Sequence, residues 1–192
     1  TYQFIKGLLR TVPDLIIDSD HMMAISPDEG GTSRAVYLAN VLGLDMGMFY
    51  KRRDYTQIVD GRNPIVAHEF LGSSVEGKDV IIIDDMISSG DSIIDVATEL
   101  KRRKAKRIFA AATFGLFTNG LDKFDKAYEE GIIHGILTTN LIYQTPELLS
   151  RPYYINCDLS KYIALLIDTL NHDGSISSIL SPNERIQHVV QK

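Results

Sequence analysis

Length, composition and charge narrow the classes of protein to which this chain can belong. It has 192 residues, of which 44% are hydrophobic and 23% charged, proportions typical of a soluble globular protein rather than a disordered one. The net charge of -5 disfavours broad nucleic-acid binding, which requires a basic face. No apolar run approaches the roughly 20 residues that span a bilayer, and the single cysteine, Cys157, cannot form an internal disulfide. We therefore expect a cytoplasmic protein that binds small molecules and has neither a nucleic-acid nor a membrane partner.

Short apolar runs alternate with segments of helical periodicity, which is the pattern of a parallel sheet with helices on both faces. We therefore predict an α/β fold. Up to residue 113, the predicted elements are a helix at 4–12, a strand at 21–26, a helix at 33–42, a strand at 46–50, a mobile loop at 52–64, an extended segment at 65–71, a strand at 80–83, a helix at 93–100 that Ser92 precedes, and a strand at 108–113. After it, we predict a helix at 121–130, a strand at 132–137, and helices at 162–170 and about 182–190.

The pattern predicts a single domain over residues 1–192, because no linker or repeat interrupts it. Thr1 opens directly into a helical pattern without a preceding cap. We interpret residues 1–20 as a remnant of the connection from a missing amino-terminal domain. The alternation continues to about residue 140, and we interpret residues 145–192 as a divergent helical tail.

The segment VIIIDDMISSGDSI at 80–93 carries the strongest chemical signal. A β-branched strand ends in Asp84 and Asp85, and a loop of small residues then enters a helix. Ligands of parallel sheets bind at the carboxyl ends of strands, and such a loop offers N–H groups and the helix dipole to a phosphate. Carboxylates accept hydrogen bonds from a vicinal diol. The segment therefore predicts a ribose phosphate, with its hydroxyls near the two acids and its phosphate at Ser88, Ser89, Gly90, Asp91 and Ser92.

This segment resembles the phosphoribosyl-pyrophosphate loop that type I phosphoribosyltransferases share with ribose-phosphate pyrophosphokinases. In that family glycine commonly stands where this chain has Asp91. A carboxylate that faced the phosphate would repel it, so we expect Asp91 to point away. The alternative interpretation is an acidic strand end and a serine turn that cap a helix without binding a ligand.

Two further motifs resemble the pyrophosphokinases in particular. The segment SPDEGGTSRA at 26–35 resembles their SPDxGG segment, which implies that Asp28 helps to hold Mg²⁺ near the phosphates of ATP. The segment YKRRD at 50–54 resembles their flexible catalytic loop, which implies that Lys51 is the catalytic lysine and Arg53 a phosphate-binding arginine. These groups suit a transfer in which charge builds on phosphoryl oxygens.

Together the motifs imply the carboxy-terminal half of a ribose-phosphate pyrophosphokinase with a type I phosphoribosyltransferase fold. Such an enzyme transfers pyrophosphate from ATP to the C1 hydroxyl of ribose 5-phosphate, with Mg²⁺ as cofactor, and gives phosphoribosyl pyrophosphate and AMP. The resemblance also implies a homo-oligomer. The chain offers no recognisable adenine pocket, so we expect it to bind ribose 5-phosphate but, by itself, to be inactive.

Two alternatives stay open at this point. A nucleobase phosphoribosyltransferase would share the segment 80–93 but is not expected to carry YKRRD and SPDEGG together. A non-catalytic, pyrophosphokinase-associated regulatory subunit would have no need of Lys51, Arg53 and Asp28, all of which this chain has.

Overall fold

The computed structural model describes residues 1–53 and 65–190 and is built on one mostly parallel sheet. Its strands are β1 (Met22–Ser26), β2 (Asp45–Arg53), β3 (Ile65–Leu71), β4 (Asp79–Ile87), β5 (Arg107–Gly115), β6 (Gly135–Thr139) and β7 (Tyr154–Cys157). They lie in the order β3-β2-β1-β4-β5-β6-β7. Of the mobile loop predicted at 52–64, residues 54–64 lie outside the described residues.

Helices cover both faces of this sheet. The helices of the described residues are α1 (Tyr2–Thr11), α2 (Thr32–Leu42), α3 (Asp91–Arg102), α4 (Asp122–Glu129), α5 (Pro146–Leu149), α6 (Ser160–Asn171), α7 (Ser177–Leu180) and α8 (Asn183–Val190), and α6 has no buried residue. One hydrophobic cluster joins the sheet to α3 and α4, and a second joins it to α1, α2 and α8. The predicted α/β class, with helices on both faces, is confirmed. Within the described ranges, no helix is long and apolar enough to cross a membrane.

β4 is the central strand, and its sequence explains that position. Successive side chains of a strand point to opposite faces. Val80 and Ile82 accordingly belong to the α3 side of the core, while Ile81 and Ile83 belong to the α1 side. A run that is β-branched at each position suits a strand buried on both faces. β4 therefore brings its carboxyl end to the middle of the sheet, between β1 and β5.

The sheet departs from the sequence prediction at both of its edges. β3 runs antiparallel to β2, with Met48 opposite Leu71, so the sheet is not wholly parallel. At the other edge, β7 pairs parallel with β6, although the sequence analysis assigned no strand to residues 145–192. The short helices α5 and α7 were also missed.

The predicted strand at 132–137 is shifted, because β6 begins only at Gly135. The N–H groups of Ile132 and Ile133 donate to the carbonyl of Ala127 at 2.8 and 3.2 Å. These two residues therefore complete the end of α4 rather than the start of a strand. The two residues are apolar and Ile133 is buried in the core. Their sequence therefore resembles the start of a buried strand.

Candidate functional site

Three predicted segments meet at one edge of the sheet. β1 and β4 are parallel neighbours, with Ile25 opposite Ile82, so both end at the same edge. Asp28 follows the end of β1, while Asp84 and Asp85 lie near the end of β4. The loop 88–92 leads from β4 into α3 at this edge. The structure thus brings together the predicted metal ligand, the acid pair and the phosphate loop.

β2 carries the backbone of the two predicted catalytic residues beyond this edge. Its last pair with β1 joins Met48 to Ser26, and the strand then continues to Arg53. Over this extension β2 pairs with β3, with Lys51 opposite His68 and an irregularity between Arg52 and Arg53. Lys51 and Arg53 are therefore placed at the carboxyl edge by their backbone register.

The two acids of β4 have different environments. The side chain of Asp84 is 19% exposed and that of Asp85 is 57% exposed. The backbone N–H of Asp85 donates to Oδ1 of Asp84 at 2.8 Å, and the N–H of Met86 donates to Oδ1 of Asp85 at 2.8 Å. These bonds fix both carboxylates in place at the end of the strand.

The pKa values of Asp84 and Asp85 are shifted in opposite directions. Burial raises the pKa of Asp84 to about 6, and the charges of Asp85 and Asp28 contribute to the increase. The pKa of Asp85 is lowered, first by its hydrogen bond with Asp84 and also by the charge of Arg34. A proton taken up in mildly acidic solution therefore resides on Asp84. Near neutral pH both groups are carboxylates, which can accept hydrogen bonds from hydroxyl groups.

Arg34 is a residue of this site that the sequence analysis missed. Its Nη2 atom lies 3.4 Å from Oδ1 of Asp84 and 3.7 Å from Oδ1 of Asp85. Its Nε atom is buried and has no hydrogen-bond partner within the described residues. Arg34 also lines a cavity of about 240 Å³ together with Asp84 and Thr113. The signal was present in the sequence, because Arg34 belongs to the quoted segment SPDEGGTSRA.

Asp28 is held by the tight turn that joins β1 to α2. The hydroxyl of Ser26 donates to the Asp28 carbonyl at 2.6 Å, and the N–H of Gly31 donates to Oδ1 of Asp28 at 3.1 Å. A Cβ atom at Gly31 would lie 2.7 Å from Oγ of Ser26. The second glycine of the motif is therefore required by close packing, and the turn fixes the direction of the Asp28 carboxylate.

The described side chains do not form a metal site made of protein ligands alone. Over the described parts of the chain, no group of three or more His, Cys, Asp or Glu residues could hold an ion. Mg²⁺ is commonly held by one or two carboxylates together with substrate phosphates and water. A single partly exposed carboxylate such as Asp28 therefore fits a magnesium ion that arrives with a nucleotide.

The predicted phosphate loop, residues 88–92, is fixed in its conformation from two sides. Gly90 precedes α3 with a φ of +85°, and a Cβ atom there would overlap the ring of Phe124. On the other side, the N–H of Thr118 donates to the Ser88 carbonyl at 3.0 Å. The N–H of Leu116 likewise donates to the Ile87 carbonyl at 2.8 Å. Ser92 lies exposed in the first turn of α3. The loop is therefore preorganised, as an anion-binding turn needs to be.

Asp91 makes its contacts within this loop and with α4. Oδ2 accepts a hydrogen bond from the Ser89 hydroxyl at 3.0 Å, and Oδ1 accepts one from Nζ of Lys123. These hydrogen bonds, the one from Lys123 first, lower the pKa of Asp91. Lys123 was missed because it is distant in sequence from the loop. The orientation of Asp91 relative to a bound phosphate stays a prediction.

Comparison with known proteins points to one family. Residues 6–134 match the model of the phosphoribosyl transferase domain. A ribose-phosphate pyrophosphokinase from Vibrio parahaemolyticus is 31% identical over 164 residues, which is 84% of this chain and 49% of that protein. One from Mycoplasma pneumoniae is 30% identical over 173 residues, or 90% of this chain and 50% of that protein. The chain thus spans about half the length of the curated relatives it matches.

A solved structure gives the same answer for the fold. The crystal structure of phosphoribosylpyrophosphate synthetase from Mycobacterium smegmatis aligns with a TM-score of 0.68. The alignment covers 88% of this chain and 51% of that chain, at 23% sequence identity. The likeness confirms the predicted type of fold.

Proposed function

Because this chain belongs to the phosphoribosyl transferase domain family, we propose that it carries the ribose 5-phosphate site of a ribose-phosphate pyrophosphokinase. One observation carries the proposal: a fixed acid pair and a preorganised loop adjoin at the carboxyl end of the central strand. The names of the curated relatives support the same activity. They favour it over a nucleobase phosphoribosyltransferase and over a non-catalytic subunit.

In the proposed complex, the loop from Ser88 to Ser92 binds the phosphate of the sugar. Backbone N–H groups at the start of a helix suit an anion, because they are not used within the helix and the dipole is favourable there. Ser88, Ser89 and Ser92 add hydroxyl groups, and Gly90 allows the close turn. Asp84 and Asp85 accept hydrogen bonds from the sugar hydroxyls.

Transfer depends on groups that meet the phosphates of ATP. The C1 oxygen of the sugar forms a bond to the β-phosphorus of ATP, while the bond from that phosphorus to the oxygen that bridges the α- and β-phosphates breaks, and AMP leaves with that oxygen. The hydroxyl releases its proton to solvent as the new bond forms. We propose that Lys51 stabilises the charge that develops on the phosphoryl oxygens during transfer. We propose that Arg53 binds a phosphate that is already present in the ground state.

Asp28 is the residue that would hold Mg²⁺. When bound, the ion would neutralise charge on the phosphates of ATP. ATP binding and a homo-oligomeric state are parts of the same proposal that come from the family resemblance.

Calorimetric titration with ribose 5-phosphate tests the proposal. We expect saturable binding to the wild-type chain. Asp85→Asn should weaken it about tenfold or more, because a hydrogen bond to a charged group contributes about 1.5–3 kcal/mol. Asp95→Asn is a control with the same change of charge, because Asp95 is an exposed acid of α3 that belongs neither to the acid pair nor to the loop 88–92, and it should leave affinity unchanged. Absence of binding by the wild type, or equal losses in both variants, would contradict the proposed site.

A further inference from the structure

The phosphate loop contains an acid whose charge is matched by a lysine of another helix. Asp91 is the first residue of α3, and Lys123 lies in the first turn of α4. Nζ of Lys123 donates to Oδ1 of Asp91, and the other carboxylate oxygen accepts a hydrogen bond from Ser89. Both oxygens of Asp91 therefore have a donor supplied by the protein.

The packing of α4 holds this lysine against the loop. Phe124 follows Lys123 directly and is fully buried. Its ring fills the space beside Gly90 that a side chain would otherwise occupy. The ring of Phe117 packs edge-on against it, with 5.1 Å between the ring centroids. The backbone of Lys123 is therefore fixed relative to Asp91, although the lysine side chain itself is half exposed.

The two roles of residue 91 conflict without a cation. A carboxylate in the first turn of a helix is stabilising, because it interacts with the positive end of the helix dipole. The same carboxylate lies in a loop that is proposed to bind a phosphate dianion, where like charges repel. A cation paired with Asp91 removes the repulsion and leaves the favourable interaction with the helix.

We propose that Lys123 is a positioning residue that neutralises Asp91, and that it thereby allows a loop containing an acid to bind the phosphate of a phosphorylated sugar. The inference rests on the proposed function. It assigns Lys123 no direct contact with the ligand. The phosphate is bound by the loop, and the lysine controls the charge that the loop presents.

A double-mutant cycle tests the assignment, with inorganic phosphate and ribose 5-phosphate as probes in calorimetric titrations. Lys123→Met should weaken both about tenfold, because it leaves the Asp91 charge uncompensated. Lys123→Arg should retain wild-type affinity. The double variant Asp91→Gly, Lys123→Met should return to within about threefold of wild type, because no acid remains to be neutralised. The loss in Lys123→Met should also shrink at high salt.

Lys126→Met is a matched control, because Lys126 is an exposed lysine of the same helix that pairs with Glu130 at 3.8 Å. It should bind both probes as the wild type does. Thermal unfolding of every variant separates loss of affinity from loss of folding. Recovered binding in the double variant would also show that this variant is folded.

Two results would overturn the inference while the proposed function stands. Unchanged affinity in Lys123→Met would show that the pair is irrelevant to binding. An equal loss from Lys123→Met in the presence and in the absence of Asp91 would show direct contact between lysine and ligand. A wild-type chain that bound neither probe would instead refute the proposed function, and the inference with it.

Discussion

A substitution at Gly90 tests how rigidly the loop 88–92 is held in its conformation. Its φ is +85°, and an added Cβ would overlap the ring of Phe124. A left-handed backbone costs a residue with a side chain about 1–2 kcal/mol, and forcing a methyl group into packed core costs about 1–3 kcal/mol more. Gly90→Ala should therefore lower the free energy of unfolding by about 2–5 kcal/mol, a large part of the roughly 5–15 kcal/mol typical of a folded protein.

Gly120→Ala separates the two contributions. Gly120 has a φ of +77°, but nothing lies within 4 Å of the Cβ that alanine would add. This variant should lose only the backbone part, about 1–2 kcal/mol. Urea unfolding followed by circular dichroism measures both changes, with equal m-values showing that the unfolded states are comparable. Equal losses of stability in the two variants would refute the proposed clash between residue 90 and the ring.

Two further predictions concern the acid pair and the residues proposed to be catalytic, Lys51 and Arg53. Burial raises the pKa of Asp84 from 3.8 to about 6, so ionisation of this carboxyl group opposes folding. The resulting loss of stability develops between about pH 4 and pH 6 and persists above pH 6. Asp84→Asn should therefore raise the free energy of unfolding by about 2 kcal/mol at pH 7 but not near pH 4, and an equal gain at both pH values in urea titrations would contradict this. Under the proposed function, Lys51→Ala should lower kcat about a hundredfold while ribose 5-phosphate binding is retained, whereas Arg53→Ala should also raise KM. Steady-state AMP release measures both, and an unchanged kcat would remove Lys51 from the mechanism.

The centre of the fold could be predicted because local sequence and tertiary position agree there. The run from Val80 to Ile83 is β-branched at each residue, and it forms the strand that is buried on both faces. The acids and small residues that follow this strand could be assigned to the ligand-binding edge, because ligands of parallel sheets bind at the carboxyl ends of the strands. The sequence therefore predicted that Asp84, Asp85 and the loop 88–92 lie at one edge, whereas the position of Asp28 beside them comes from the pairing of β1 with β4.

The features that were missed depend on contacts between distant segments. The sequence analysis assigned residues 65–71 an extended segment without a direction, and that direction is set by the antiparallel pairing with β2. β7 has only four residues, too few for a clear periodicity. Lys123 and Asp91 meet only because α4 packs beside the start of α3, and no local motif records that packing.

The order of the strands determines when the candidate site can form while the chain is being translated. β1 pairs with β4, with Met22 opposite Asp79, and the two strands are separated in sequence by all of α2, β2 and β3. At about 5–20 residues per second, translation places Asp28 outside the ribosome several seconds before Asp84. During that interval β1 can pair with β2 but not with its other neighbour. Insertion of the central strand beside β1 then brings Asp84 and Asp85 to the edge where Asp28 already lies, and β5, β6 and β7 are added on its other side afterwards.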